Sequence, residues 1–187
     1  MRARFISITL CLLVIATACN VFGASFKGTL VTPATVAPEI KITDDYGNNF
    51  QLSALQGKVV LIFFGFTNCV EECPLTMAKL KQTLESLGEK SQDVKVVMVS
   101  TDPARDTPQA MQDFLGKFNP DFLGLPGTPD QLSKIWSDYG VAVLDGGETH
   151  SSQIYAIDKR GKLRLIMNTD LTSDDIASDL KILLAEK

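Results

Sequence analysis

The run Val59-Val-Leu-Ile-Phe-Phe-Gly-Phe-Thr-Asn-Cys-Val-Glu-Glu-Cys-Pro-Leu-Thr-Met dictates most of what this chain can fold into. Its first part is uncharged, β-branched and aromatic, the pattern of a strand buried on both faces. The run breaks at Gly65 to Asn68, and two cysteines follow four residues apart, Cys69 and Cys73. Pro74 suits a first helical turn, and Met77, Leu80, Leu84 and Leu87 then recur at helical spacing, so the spacing predicts a helix over 74–87. The unit is a strand, a short loop carrying two thiols, and a helix. A helix N-terminus offers unpaired N–H groups and a partial positive charge, which favour thiolate over thiol. Reactive or metal-binding sulfur is the chemistry this placement predicts.

With 187 residues, 45% of them hydrophobic, the chain can build one domain of ordinary size. A net charge of −4 without any basic block argues against nucleic acid or an anionic membrane surface as partner. Residues 1–19 stand apart from that domain. Arg2 and Arg4 form a short positive region, Phe5 to Ala18 is uncharged and mostly apolar, and Ala16-Thr17-Ala18-Cys19 supplies small residues for signal cleavage. The apolar run is short for a spanning helix, which needs about 20 residues. Its end resembles a bacterial lipobox, with Cys19 as the lipidated first residue of the mature protein. Cleaved soluble export and an uncleaved membrane anchor are the alternatives, and all three place the domain outside the cytoplasm. Residues 20–38, rich in Gly, Ala, Ser, Thr and Pro, read as a tether to a domain spanning 39–187.

Cys11 lies inside the signal and Cys19 at its end, so Cys69 and Cys73 remain for the folded part. A lone pair in an exported protein would ordinarily form a structural disulfide. Such bonds stabilise most when they close long loops, and this one would close a very short one. Stability is a poor reason for the pair to exist.

Along the domain, Glu39 to Thr43 and Phe50 to Leu52 predict a hairpin ahead of the central strand. Val94 to Ser100 predicts a second buried strand. Thr107-Pro108 opens a helix running to about Phe118, and a short strand covers Phe122 to Leu125. Thr128-Pro129-Asp130-Gln131 is a capping box for a helix that Gly140 ends. Val141 to Leu144 is extended, and Asp145 to Ser152 forms a polar loop. Ile154 to Ile157 and Leu163 to Met167 predict a closing hairpin, and Ser173 to Ala185 a last amphipathic helix. The expected fold is α/β, a mixed sheet with helices on both faces. With two cysteines at a strand–helix junction, it is thioredoxin-like, with an N-terminal hairpin extension and a mid-chain insertion.

Dithiol exchangers of that fold separate their cysteines by two residues, bringing the Cβ atoms to the ~3.5–4.5 Å that a disulfide demands. Here three residues intervene. Two helical residues at this spacing hold their Cβ atoms about 5–6 Å apart on one face. That suits two thiolates gripping one ion at roughly 2.3 Å per metal–sulfur bond. Soft thiolates select Cu(I), and an added imidazole lets the same site hold Cu(II). The chain has one histidine, His150, in the polar loop entering the closing hairpin. By residue type it is a solvated loop histidine; in a thioredoxin-like sheet that region approaches the cysteine loop. Zinc, which prefers four ligands, would need one more. The cis-proline that exchangers keep before the equivalent of the Ile154 strand is missing, since the chain has no proline after Pro129.

These motifs together resemble the Sco (SenC) family, copper-binding thioredoxin-fold proteins that help assemble the binuclear copper site of cytochrome oxidase. The resemblance rests on Phe63 to Pro74, on Ser100-Thr-Asp-Pro-Ala-Arg-Asp-Thr-Pro, on Leu123-Gly-Leu-Pro-Gly-Thr and on His150-Ser-Ser. It implies copper as the bound metal and Cys69, Cys73 and His150 as its ligands. It also implies a copper-bearing oxidase subunit, or another copper chaperone, as partner. The sequence departs from the family at Val70, where most members carry proline, and at Glu71, where they carry aspartate. The resemblance implies a carrier with no turnover of its own. A thiol–disulfide reductase using Cys69 and Cys73, or a redox sensor, is the alternative. A peroxide-reducing thiol enzyme would need an arginine beside the sulfur, which no nearby residue supplies.

Asp102, Arg105 and Asp106 read as a capping and salt-bridging loop. Trp136, Met77, Met98 and Met111 fall at core positions. Glu71 and Glu72 could steer a partner, although acids at a helix start need no special reason.

Overall fold

A computed structural model describes residues 25–186; the expected signal and lipobox at 1–19, with Cys19, lie outside the described residues. The elements run β1 (Thr29–Val36), β2 (Lys41–Thr43), β3 (Asn49–Gln51), β4 (Val59–Gly65), α1 (Glu72–Leu87), β5 (Val94–Ser100) and α2 (Pro108–Leu115). They continue with β6 (Leu123–Leu125), α3 (Pro129–Tyr139), β7 (Val143–Leu144), β8 (Thr149–His150), β9 (Gln153–Ile157), β10 (Lys162–Asn168) and α4 (Ser173–Ala185). Six strands form one mixed sheet in the order β1-β10-β9-β4-β5-β6. β4 lies parallel to β5 on one side and antiparallel to β9 on the other. This is the expected thioredoxin-like α/β architecture.

All seven residues of β4 are buried, as its charge-free run requires. Because successive side chains point to opposite faces, β4 feeds two cores. Val59, Leu61 and Phe63 pack with Met77 and Leu80 of α1 and with Leu180 of α4. Val60, Ile62 and Phe64 pack with Leu132 and Ile135 of α3 and with Ile42 of the β2–β3 hairpin. The hairpin extension therefore covers the second face of the sheet beside α3.

The tether expectation fails over its second half. Residues 29–36 form β1, an edge strand antiparallel to β10, with an irregular register between Leu30 and Thr35. Pro33 and the small residues had argued against a strand, but an edge strand needs hydrogen bonds on one side only and tolerates proline. Phe26, ahead of the strand, packs against the first core.

Boundary differences are small, and one matters. α1 begins at Glu72 rather than Pro74, so Cys73 is helical while Cys69 stays in the loop. The return strand β3 ends at Gln51, and α2 stops at Leu115 instead of near Phe118. The Thr128 and Thr107 caps form as expected, the first as a full capping box. Gly140 ends α3 in the left-handed conformation. The stretch expected as a polar loop holds the two-residue strand β8, which pairs with β7. Among the described residues no helix is long and apolar enough to cross a membrane.

Candidate metal centre

Topology brings the chemistry to one end of the sheet. β4 runs into the cysteine loop at its C-terminal end, where Gly65 lies beside Ser100 of β5. β9 is antiparallel to β4 and starts at that same end, Ile154 opposite Phe63. His150, three residues ahead of β9, is thereby delivered to the cysteine end.

Both cysteines of the described chain are free. Cys73 is completely buried in the first core, whereas Cys69 is partly exposed. The N-cap residue of α1, Glu71, makes no side-chain cap, and the Cys73 N–H instead donates to Cys69 Sγ at 3.3 Å. The loop sulfur takes the place of a capping oxygen on one of the helix's orphan amides. Burial pushes the Cys73 thiol far above its ordinary pKa. The expectation that the helix start favours thiolate therefore fails for Cys73, because desolvation outweighs the amides around it. A cation replacing the proton would reverse that balance, since metal binding deprotonates its ligands.

Gly65 makes room for the buried sulfur. A Cβ there would lie 3.0 Å from Cys73 Sγ and 2.6 Å from the Phe63 ring. The cysteine loop is tied down by Asp106, whose carboxylate accepts from the Thr67 N–H at 2.9 Å and from Thr67 Oγ1 at 2.7 Å. Ser100 Oγ donates to its other oxygen at 2.6 Å. Asp106 is buried, and burial raises its pKa against these stabilising bonds. Asp102 is bound by Arg105, so the expected capping and salt-bridging role of this loop holds. Trp136 packs against the second core and donates its indole N–H to Ser100 O at 3.0 Å.

His150 is half-buried and does not touch the sulfurs. Its ring stands edge-on to Phe66, with centroids 5.9 Å apart, and its Nδ1 lies 3.2 Å from Ser151 O. Among the described residues no three His, Cys, Asp or Glu side chains are gathered closely enough to hold an ion. The structure thus brings Cys69 and Cys73 together and brings His150 to the same end, with Phe66 beside it. The donor set, two soft sulfurs and one imidazole, suits copper. Sequence reasoning gave Phe66 and Gly65 no role of their own at the site, although both stand within the Phe63 to Pro74 motif.

The groove between the start of α1 and the start of α4 is lined by Glu71, Glu72, Leu75, Lys79 and Asp170, and neither sulfur lines it. Val70 and Leu75 are exposed at this end of the molecule. Of the two thiols only Cys69 reaches the surface, and that surface is open rather than a small-molecule cavity.

Known proteins share this fold. The SCO2-like protein of Rickettsia felis is 31% identical over 155 residues, covering 78% of this chain and 76% of that one. The solution structure of apo Sco1 from Thermus thermophilus matches with a TM-score of 0.77 at 33% identity, over 86% of this chain and 98% of that one. Copper-bound ScoI of Bradyrhizobium japonicum matches with a TM-score of 0.73 at 32% identity, over 80% of this chain and all of the other. The SCO1/SenC family model matches residues 29–185, from the first residue of β1 to the last of α4, with both cysteines and His150 inside the match. By the whole of its described fold, the chain belongs to the SCO1/SenC family.

Proposed function

We propose that this chain is a copper carrier, held outside the cytoplasm through a lipidated Cys19, that supplies copper to the binuclear site of a terminal cytochrome oxidase. The observation that carries the reading is the delivery of two reduced cysteines and the chain's one histidine to the same end of the sheet. Copper is the cargo, with Cys69, Cys73 and His150 as its ligands. Cys69, the more exposed sulfur, meets the incoming ion first, and the buried Cys73 completes the pair once its proton leaves. The imidazole arrives last, from the arm beside Phe66. Release to an acceptor reverses the order, the acceptor's ligands replacing His150 and then the sulfurs.

Anaerobic titration of the reduced protein with Cu(I), and of the same protein with Cu(II), tests this. One tightly held copper per chain is expected, with thiolate-to-Cu(II) charge-transfer bands that His150→Ala removes or shifts. An unchanged spectrum and affinity in H150A would sink the ligand assignment. Cys19→Ser is expected to release the protein from the membrane fraction; retention with an uncleaved N-terminus would point to a signal anchor.

A second reading, a thiol–disulfide reductase that keeps an acceptor's cysteines reduced, is favoured by the exposure difference between the sulfurs. A partly exposed Cys69 to attack and a buried Cys73 one helical turn behind to resolve is the order that exchange requires. His150 separates the two jobs: reductase activity survives H150A and Cu(II) binding does not.

A further inference from the structure

His150 sits in a piece of structure that cannot hold itself in place. β7 and β8 contribute two residues each, and a ribbon of that size has no independent stability in water. The connection between them passes through Asp145, Gly146 and Gly147, all with positive φ. Two contacts from the β5–α2 loop pin it. Thr101 Oγ1 donates to Gly147 O at 3.1 Å, and Arg105 Nη2 donates to Glu148 Oε1 at 2.9 Å. Arg105 is itself anchored, because its Nε donates to the buried carboxylate of Asp102. The same guanidinium lies 5.9 Å from the centre of the Phe66 ring, the ring against which His150 packs. Arg105 therefore touches both the residue two places ahead of His150 and the aromatic wall behind it.

From this we infer that Arg105, acting through Glu148 and Phe66, is a positioning residue that keeps the His150 arm within reach of the sulfurs and so sets how strongly the protein prefers Cu(II) over Cu(I). The inference rests on the proposed Cys69, Cys73 and His150 ligand set. Its logic is one of preorganisation. A latched arm has already lost most of the conformational freedom that coordination would otherwise have to remove. Cu(I) is satisfied by two thiolates and gains little from the arm, whereas Cu(II) needs the imidazole. Opening the latch weakens one oxidation state and spares the other.

Glu148→Gln is the variant of choice: Glu148 is exposed and outside the core, so the chain folds without its charge. The full-length protein carrying E148Q is compared with wild type and with H150A by Cu(I) and Cu(II) titration, and by amide exchange over residues 145–151 before any metal is added. The expected result is faster exchange in that loop and a Cu(II) affinity about fivefold weaker, the upper end of what one exposed ion pair supplies, with Cu(I) affinity within about twofold of wild type. In wild type, raising the salt to about 1 M should mimic the variant, and in E148Q it should change nothing further.

Unchanged loop exchange with unchanged Cu(II) affinity in E148Q overturns the inference. Tighter Cu(II) binding overturns it too, because the pair would then hold His150 away from the sulfurs. Equal losses for Cu(I) and Cu(II) would mark general damage rather than positioning, and reject it. If H150A retains wild-type Cu(II) binding, the ligand reading itself has failed; if H150A loses Cu(II) and E148Q does not, the latch alone has failed.

Discussion

The two halves of the candidate centre are built to different standards. The sulfur half stands on a strand of seven buried residues and a helix of sixteen, and Asp106 ties its loop to the sheet through Thr67. The imidazole half stands on a two-residue strand beyond three consecutive residues of positive φ, held by the Thr101–Gly147 hydrogen bond and the Arg105–Glu148 pair. One half is preset by packing, and the other is set by a few polar contacts that can be broken at little cost. The proposed task, to grip and then release copper, gains from this division. On the proposed ligand set, the two soft donors hold the ion until transfer, and the third donor comes and goes with the state of an arm.

The hardest way to break the comparison is to remove the rigid half. Cys73→Ser is expected to abolish stoichiometric Cu(I) binding, and also to lower stability by about 1–3 kcal/mol, because a hydroxyl replaces a fully buried sulfur. Metal analysis and chemical denaturation read the two effects separately. Retention of one Cu(I) per chain in this variant would show that the sulfurs are not the preset element.

A smaller effect, aimed at the other half, is expected from Gly147→Ala. Gly147 has φ of 107°, and a Cβ there would lie 2.1 Å from Thr101 O, so the arm must lift from the β5–α2 loop. Cu(II) affinity should fall by about 10–100-fold while Cu(I) affinity holds, the signature of a displaced ligand support. Equal weakening of both would mean that the arm and the sulfur loop move as one body, which would erase the distinction.

The smallest effect sharpens the comparison by serving as a control away from both halves. Asp45, in the turn between β2 and β3, is buried with both carboxylate oxygens unpartnered, and burial raises its pKa to about 6. A carboxyl whose folded pKa lies above its unfolded value supports the fold fully below about pH 4, and that support is lost as pH rises through the folded value. Asp45→Asn should therefore stabilise the protein by about 2 kcal/mol at pH 7.5 and by almost nothing near pH 4, as read by denaturant melts at both pH values. Copper affinity should not change. If it rises with stability, part of what the other variants lose is global rather than local.

Much of this protein is legible in one dimension because the signals are local. The unbroken apolar run from Val59 announces a strand covered on both faces, and Thr128 with Gln131 announces a helix start, since each depends on neighbours within a turn or two. β1 is not legible: its Pro33 and exposed threonines look like a linker until β10 supplies hydrogen bonds to one side. The exact start of α1 is not legible either, because Cys69 Sγ replaces the usual Ser, Thr, Asp or Asn cap on the helix's orphan amides.

The order of the main helices and buried strands, the cysteine spacing, the single histidine and the family resemblance were set by the chain alone, since each is a matter of residue type and local period. The depth of Cys73, the role of Phe66 beside His150, and the latch from Arg105 to Glu148 were decided by tertiary structure. They join residues far apart in sequence, 43 positions in the case of the latch, through the pairing of β9 with β4. Spacing along the chain carries no trace of such contacts, because the sheet that creates them forms only when the whole core is buried.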